Sequence, residues 1–348
     1  MPYKGKIFDA HTHVMEGASG AAKLLKTERE YGYVGFNALG ASAWGGAAQD
    51  AQCLAVKRYE GCYAFGSMNH AEGDFRSQCE RLFRMGADGF KMIEGKPDVY
   101  RSIGRPLNSS YYEELYAFAE EKGLPILAHV GDPPEFWAPE KAPAFAVENG
   151  WTYAGGEYPS LEELFAQVED IAARHPALKL ILAHFFFHSH RLENAADFLD
   201  RHPSVCFDIC PGTEMYENFS RDPKRSREFF LRYQDRLIFG TDNWDTEAPG
   251  EIYDKNEINR MIHSFLQTEG EFPVWDHEMR GIGLPQEALE KIYHGNFERL
   301  AGERPRERDE GLLAEYCREL LAAPERFGAD EADAARLEDV LHELELHG

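Results

Sequence analysis

A chain of 348 residues is long enough to bury the core of one large α/β domain, a size that barrels of this class reach without splitting in two. With 37 Lys and Arg against 61 Asp and Glu, the formal net charge of −24 repels phosphate backbones and anionic lipid, which argues against nucleic acid as a partner. Nowhere do 18 uncharged apolar residues follow one another, and MPYKGKIFDAHTH lacks the basic segment and long apolar run of an export signal, so no membrane contact and a cytoplasmic location are expected.

In chain order, short apolar runs alternate with amphipathic helical stretches up to about position 300. The first run, IFDAHTH (7–13), carries two histidines one residue apart. Side chains two apart in a strand share a face, so His11 and His13 project together, either as a bite for one cation or as an ordinary histidine pair. YVGFNALG (33–40) follows, although its Gly and Asn suit a loop almost as well. CYAFGSMN (62–69), DGFKMI (88–93), PILAHVG (125–131), KLILAHF (179–185), VCFDIC (205–210) and LIFGTD (237–242) complete eight expected strands.

Between the strands, Ser110 with Glu113 and Ser160 with Glu163 have capping-box spacing, and EKGLP, RHPALK and RHPSV supply stop signals. Residues 131–159 form the longest irregular stretch, placed where such loops cover active sites. The six cysteines contain no CxxC and read as reduced thiols. Beyond Gly302, ERPRERDEG is a charged connector to two amphipathic helices, which either pack on the barrel or join copies into a homo-oligomer.

Eight nearly continuous apolar strands separated by helices predict a parallel sheet closed into a (β/α)8 TIM barrel over residues 1–302, with 303–348 as a helical C-terminal extension. An open doubly wound sheet is the alternative, but no glycine-rich phosphate loop follows the first strand. In a barrel the ligand site lies at the carboxyl ends of the strands, where this sequence puts His11, His13, Lys91, His129, His184 and Asp242. Each alone has an ordinary structural reading. Together they place ionisable groups at one end of many apolar strands, where burial is costly unless a bound divalent ion compensates. Imidazole and carboxylate donors without thiolate suit Zn²⁺ foremost, with Mn²⁺, Fe²⁺ or Co²⁺ next.

The ordered set HxH, Lys, His, His, Asp resembles the amidohydrolase superfamily. The wording of FDAHTH, GFKMI, LPILAHVGDP, LILAHF, IFGTDN and KIYHGNFERLAG is similar to its amidohydrolase-2, or metal-dependent TIM-barrel hydrolase, branch over roughly residues 6 to 302. The resemblance implies His11, His13, His129 and Asp242 as core metal ligands. It implies His184 as a second-site ligand in two-metal members or a polarising histidine in one-metal members. Lys91 falls where some members carry a carbamylated lysine bridging two ions; the preferred version here has one ion and an uncarbamylated Lys91 that pairs with Asp242 or a substrate carboxylate.

On that basis a metal-activated water, with Asp242 as general base and His184 at the oxyanion, is expected to cleave a C–N or C–O bond of a small substrate. Arg101 and Arg105 are expected to clamp a substrate carboxylate, and Trp137, Tyr153 and Trp244 to wall the pocket. The same branch contains non-oxidative decarboxylases, lactonases and hydratases, which gives lyase chemistry as the alternative. A non-enzymatic barrel, its metal structural or absent, is a third reading.

Overall fold

The structure, a computed structural model, describes residues 3–246 and 254–347. Nine parallel strands form one sheet: β1 (Phe8–His13), β2 (Gly35–Leu39), β3 (Tyr63–Gly66), β4 (Gly89–Gly95), β5 (Ile126–Val130), β6 (Leu180–Leu182), β7 (Val205–Asp208), β8 (Leu237–Ile238) and β9 (Asn243–Trp244). They lie in the order β8-β7-β6-β5-β4-β3-β2-β1-β9 and curl into a half-barrel with helices packed outside. All eight expected strands are present, and nearly every residue in them is buried, as a parallel sheet covered on both faces requires.

Inside the curl, Phe8, Ala10, Leu39, Phe65, Leu127, Ile181 and Ile238 form their own apolar cluster. Phe297 and Leu300 of the helix Asn296–Ala301 join it, with the Phe297 ring stacked 4.5 Å from Phe8. In register, Lys91 lies opposite Leu127, Leu127 opposite Ile181, and Ile181 opposite Cys206, so Lys91 belongs to an inward-facing row.

Strand β1 carries a bulge that the sequence pattern does not reveal. Between Asp9 and Thr12 it advances three residues while β2 advances two, from Phe36 to Ala38. With Phe8 and Ala10 already inside, strict alternation would turn His11 and His13 outward. The extra residue restores them to the inner face, where His11 meets Lys91.

Several elements differ from expectation. Strand β6 stops at Leu182 and β8 at Ile238, so His184 and Asp242 sit in turns at positive φ, 54° and 61°, rather than on strands. The Ser160 capping box forms as expected. The Ser110 box does not: that helix runs Glu113–Lys122 with Tyr112 at its cap, and the Glu113 carboxylate is engaged by Arg174 and His175 instead. Residues 131–159 contain two short helical turns, Pro134–Trp137 and Ala144–Glu148.

An antiparallel hairpin, β10 (Glu269–Val274) with β11 (His277–Ile282), was not anticipated; it buries Phe272, Val274, Met279 and Ile282. Past the connector lie helices Glu310–Ala322, Pro324–Phe327 and Glu331–His347. They pack on helices Gly17–Glu30 and Gln49–Ala55, and the buried Asp333 carboxylate accepts the Ala47 and Ala48 amides at 3.0 and 3.2 Å. Among the described residues no helix is long and apolar enough to cross a membrane.

Candidate metal centre

At the carboxyl end of β1 the structure gathers His11, His13 and Asp242, one donor atom from each lying within 4.8 Å of the others. Asp242 Oδ1 stands 3.5 Å from His11 Nε2 and 3.3 Å from His13 Nε2. These gaps are long for hydrogen bonds. They match the roughly 3.3–3.6 Å edge of a tetrahedron whose centre lies about 2.0–2.2 Å from each donor. The Asp242 turn is tied to β1: its N–H donates to His11 O at 2.9 Å, and Thr241 N–H donates to the buried Asp9 carboxylate at 3.1 Å.

Hydrogen bonding fixes the histidine tautomers. His11 Nδ1 lies 2.8 Å from Asp208 Oδ2; a carboxylate accepts, so Nδ1 carries the proton and Nε2 presents its lone pair toward Asp242. His184 Nδ1 lies 3.2 Å from Cys210 O, and a carbonyl only accepts, so His184 likewise has its lone pair on Nε2. The same Asp208 carboxylate receives the His184 and Cys210 amides at 2.7 and 3.2 Å and thereby holds three site residues at once. His13 Nδ1 is buried with no hydrogen-bond partner among the described residues.

Burial and charge set the ionisation. Burial works to raise the Asp242 carboxyl, but the His13 contact and the neighbouring imidazoles hold it well below the usual carboxylate range. Burial pushes His11 well below its ordinary value and His184 down to about 4, so both are neutral lone-pair donors at pH 7. Asp208 is pushed up to about 6 by burial, with His184 opposing. Lys91 is buried, which lowers its amine against the pull of Asp242 and Asp208, and its Nζ lies 3.3 Å from His11 Nε2. The His11 lone pair, the His13 imidazole and the Asp242 carboxylate, converging where both histidines are buried, are the kind of donor set that a divalent ion of the zinc type requires, and the residues fit one.

The other expected residues divide. The His129 ring packs 4.8 Å from that of His184, but its Nε2 is directed to Gly131 O at 2.9 Å and Asp132 Oδ1 at 3.4 Å, so the structure does not bring that nitrogen into the His11–His13–Asp242 group. Trp244 is brought in, its ring 4.8 Å from His13 and edge-on to the exposed Trp44. Trp137 lines a separate cavity of about 250 Å³ with Leu161, Phe165 and His188. The two arginines are not brought to the centre. Arg101 is exposed and bound to Tyr158 and Glu157 at 3.0 and 2.8 Å, and Arg105 lies exposed over the Tyr111 ring, because both follow the short helix Pro97–Ile103 out to the surface. Tyr153 donates at 2.5 Å to Asp132, which also pairs with the buried Lys96 at 2.7 Å.

Asp208 and the Lys96–Asp132 pair escaped the sequence reading, which took Cys210 as an ordinary reduced thiol. A signal existed for Asp208: it is a lone carboxylate inside the apolar run VCFDIC, where an unpaired charge is costly. The placement of Cys210 depends on where β7 ends, which the run of apolar residues does not disclose.

Residues 8–302 match the family model described as Amidohydrolase. No curated protein sequence matches the chain. Among solved structures, an uncharacterised TIM-barrel protein from Bordetella bronchiseptica superposes with a TM-score of 0.55 at 17% identity, covering 86% of this chain and 100% of that one. A probable 2-pyrone-4,6-dicarboxylic acid hydrolase from Acinetobacter baumannii gives 0.55 at 11% identity, covering 86% and 100%. A 4-oxalomesaconate hydratase from Rhodopseudomonas palustris gives 0.54 at 14%, covering 92% and 99%. At these identities the likeness is one of fold.

Proposed function

Since this chain belongs to the amidohydrolase family and is an enzyme of that metal-dependent class, we propose that it hydrolyses a C–N or C–O bond of a small, carboxylate-bearing substrate on a single zinc ion. The observation that carries the reading is the convergence of His11, His13 and Asp242, with the His11 tautomer fixed by Asp208 so that a lone pair faces the carboxylate. His11, His13 and Asp242 hold the ion in this reading. When bound, it lowers the pKa of water and polarises the scissile carbonyl.

Asp242 acts as the general base. Its Oδ1 lies 3.5 and 3.3 Å from Nε2 of His11 and His13, and after accepting a proton the carboxyl group delivers that proton to the leaving group. Of the two parts expected of His184, metal ligand and oxyanion stabiliser, the second is set aside. An oxyanion needs a donor, whereas its Nε2 offers a lone pair, so it serves as a further ligand or proton acceptor. Lys91, as an ammonium beside His11, is the cation for the substrate carboxylate or developing oxyanion. Trp244, beside His13, forms one wall.

The site sits where a closed (β/α)8 barrel would place it. Support for closure comes from segment 237–244, which bonds β7 on one side (Ile209 N–H to Ile238 O, 2.8 Å) and β1 on the other (Ala10 N–H to Phe239 O, 3.1 Å). Residues 1–302 then form the catalytic unit, and 303–348 a buttress against its outer helices.

The test is to strip the protein with a chelator, restore zinc, and follow release of amine, alcohol or new carboxylate, with carbon dioxide measured in parallel. Hydrolysis should vanish on stripping, return with zinc, and fall at least about a hundredfold in Asp242→Asn. Turnover that survives complete stripping, or carbon dioxide as the product, contradicts the reading.

A further inference from the structure

A second set of donors shares His11 with the first. Donor atoms of His11, His184 and Cys210 lie within 4.8 Å of one another, and all three residues are buried. The tautomers already derived put a lone pair on Nε2 of both histidines. Gly240 makes the approach of His11 and Cys210 feasible: a Cβ there would stand 2.8 Å from the Cβ of His11 and 3.4 Å from that of Cys210. The backbone of Cys210 is held from below, its amide by Asp208 and its carbonyl by His184, so its position is fixed by the same carboxylate that orients His11.

The two faces differ in chemistry. His13 and Asp242 offer nitrogen and a hard oxygen, whereas His184 and Cys210 offer nitrogen and a soft sulfur that favours thiophilic ions. His11 belongs to both sets, and one lone pair serves one ion at a time. The ammonium of Lys91, 3.3 Å from that same nitrogen, further disfavours two cations side by side. The sets are therefore alternative positions.

We propose that a thiophilic divalent ion such as Cd²⁺ binds His11, His184 and Cys210, evicting the ion held by His13 and Asp242 and inactivating the enzyme. The Cys210 S–H proton leaves to solvent as the sulfur–cadmium bond forms, one ion replaces another, and no oxidation state changes. The identity of the evicted ion rests on the proposed catalytic reading; the cadmium site itself does not.

The experiment adds CdCl₂ to the full-length protein as purified, while recording the ultraviolet sulfur-to-cadmium charge-transfer band, zinc release into a chromogenic chelator, and activity. The wild type should develop the band to one equivalent, releasing one zinc per cadmium as activity falls. Cys210→Ser should lose the band and need roughly tenfold more cadmium or above to release its zinc, since losing a ligand costs at least what losing its orienting partner does. Cys206→Ser should behave as wild type. Cadmium-edge X-ray absorption on the wild type guards against a Cys210 variant that fails to fold: a sulfur neighbour is expected, and a shell of nitrogen and oxygen alone overturns the proposal. A band that persists in Cys210→Ser overturns it as well. A band dependent on Cys210 in protein that never held zinc would uphold the cadmium site while refuting the catalytic centre.

Discussion

Replacing Asp208 by Asn tests whether the second layer of the site sets the chemistry of the first. In the native arrangement Oδ1 receives two backbone amides, from His184 at 2.7 Å and Cys210 at 3.2 Å, while Oδ2 receives His11 Nδ1–H at 2.8 Å. An asparagine keeps two of these three bonds only by leaving its carbonyl on the two amides. Its NH₂ then faces His11 Nδ1, donor against donor, and the imidazole must move its proton to Nε2, the atom that faces Asp242. A charge-assisted hydrogen bond of about 1.5–3 kcal/mol is lost, together with the lone pair that coordinates, so affinity for zinc should fall about 10- to 150-fold. The metal-free fold should change by less than about 1 kcal/mol, because losing that bond is offset by removing a buried charge. Chelator competition measures the first quantity and urea unfolding of stripped protein the second. Zinc affinity within about twofold of wild type, in a folded variant, would falsify the claim that Asp208 dictates the His11 tautomer.

Three further outcomes follow from the same geometry. Lys91→Met removes a cation beside His11 Nε2, and like charges a few ångströms apart repel by several kcal/mol at an effective dielectric of about 20, so zinc affinity should rise about tenfold or more while kcat falls; a drop in bound metal would show instead that Lys91 is itself a ligand. Trp244→Ala removes the ring 4.8 Å from His13, and a contact of about 0.5–1.5 kcal/mol predicts KM raised roughly two- to tenfold with metal content unchanged. His263, bonded to Tyr33 and Tyr293, is pushed down to about 4 by burial. The unfolded chain therefore takes the proton first, and the stability tied to this group is intact above about pH 6.5 and is lost, by about 3 kcal/mol, as pH falls toward 4. His263→Phe leaves Tyr33 bonded to Asn259 and Tyr293 to Gln267, and should flatten that acid dependence in denaturation curves taken between pH 7 and 4; an unchanged slope rejects the assignment.

The strands were legible because a parallel sheet buried on both faces leaves an almost unbroken apolar run, as in PILAHVG and KLILAHF. The hairpin at 269–282 was not, since only Phe272, Val274, Met279 and Ile282 turn inward from an otherwise charged stretch. His11 and His13 could be paired from their spacing, yet their inward direction depends on the β1 bulge, a matter of pairing register with β2. For His184 and Asp242 the apolar runs suggested strand ends, whereas both come beside His11 from left-handed turns after their strands end. Arg101 and Arg105 show the reverse failure. Proximity in sequence to the Lys91 strand said nothing about the helix Pro97–Ile103, which carries that segment away toward Tyr158 and Tyr111.

Anomalous scattering at the zinc edge, from crystals grown with the metal retained, would locate the ion itself. One peak is expected, within about 2.0–2.2 Å of His11 Nε2, His13 Nε2 and Asp242 Oδ1. An ion coordinated elsewhere, or density showing these three side chains occupied only by one another in protein that is fully active, would contradict that expectation.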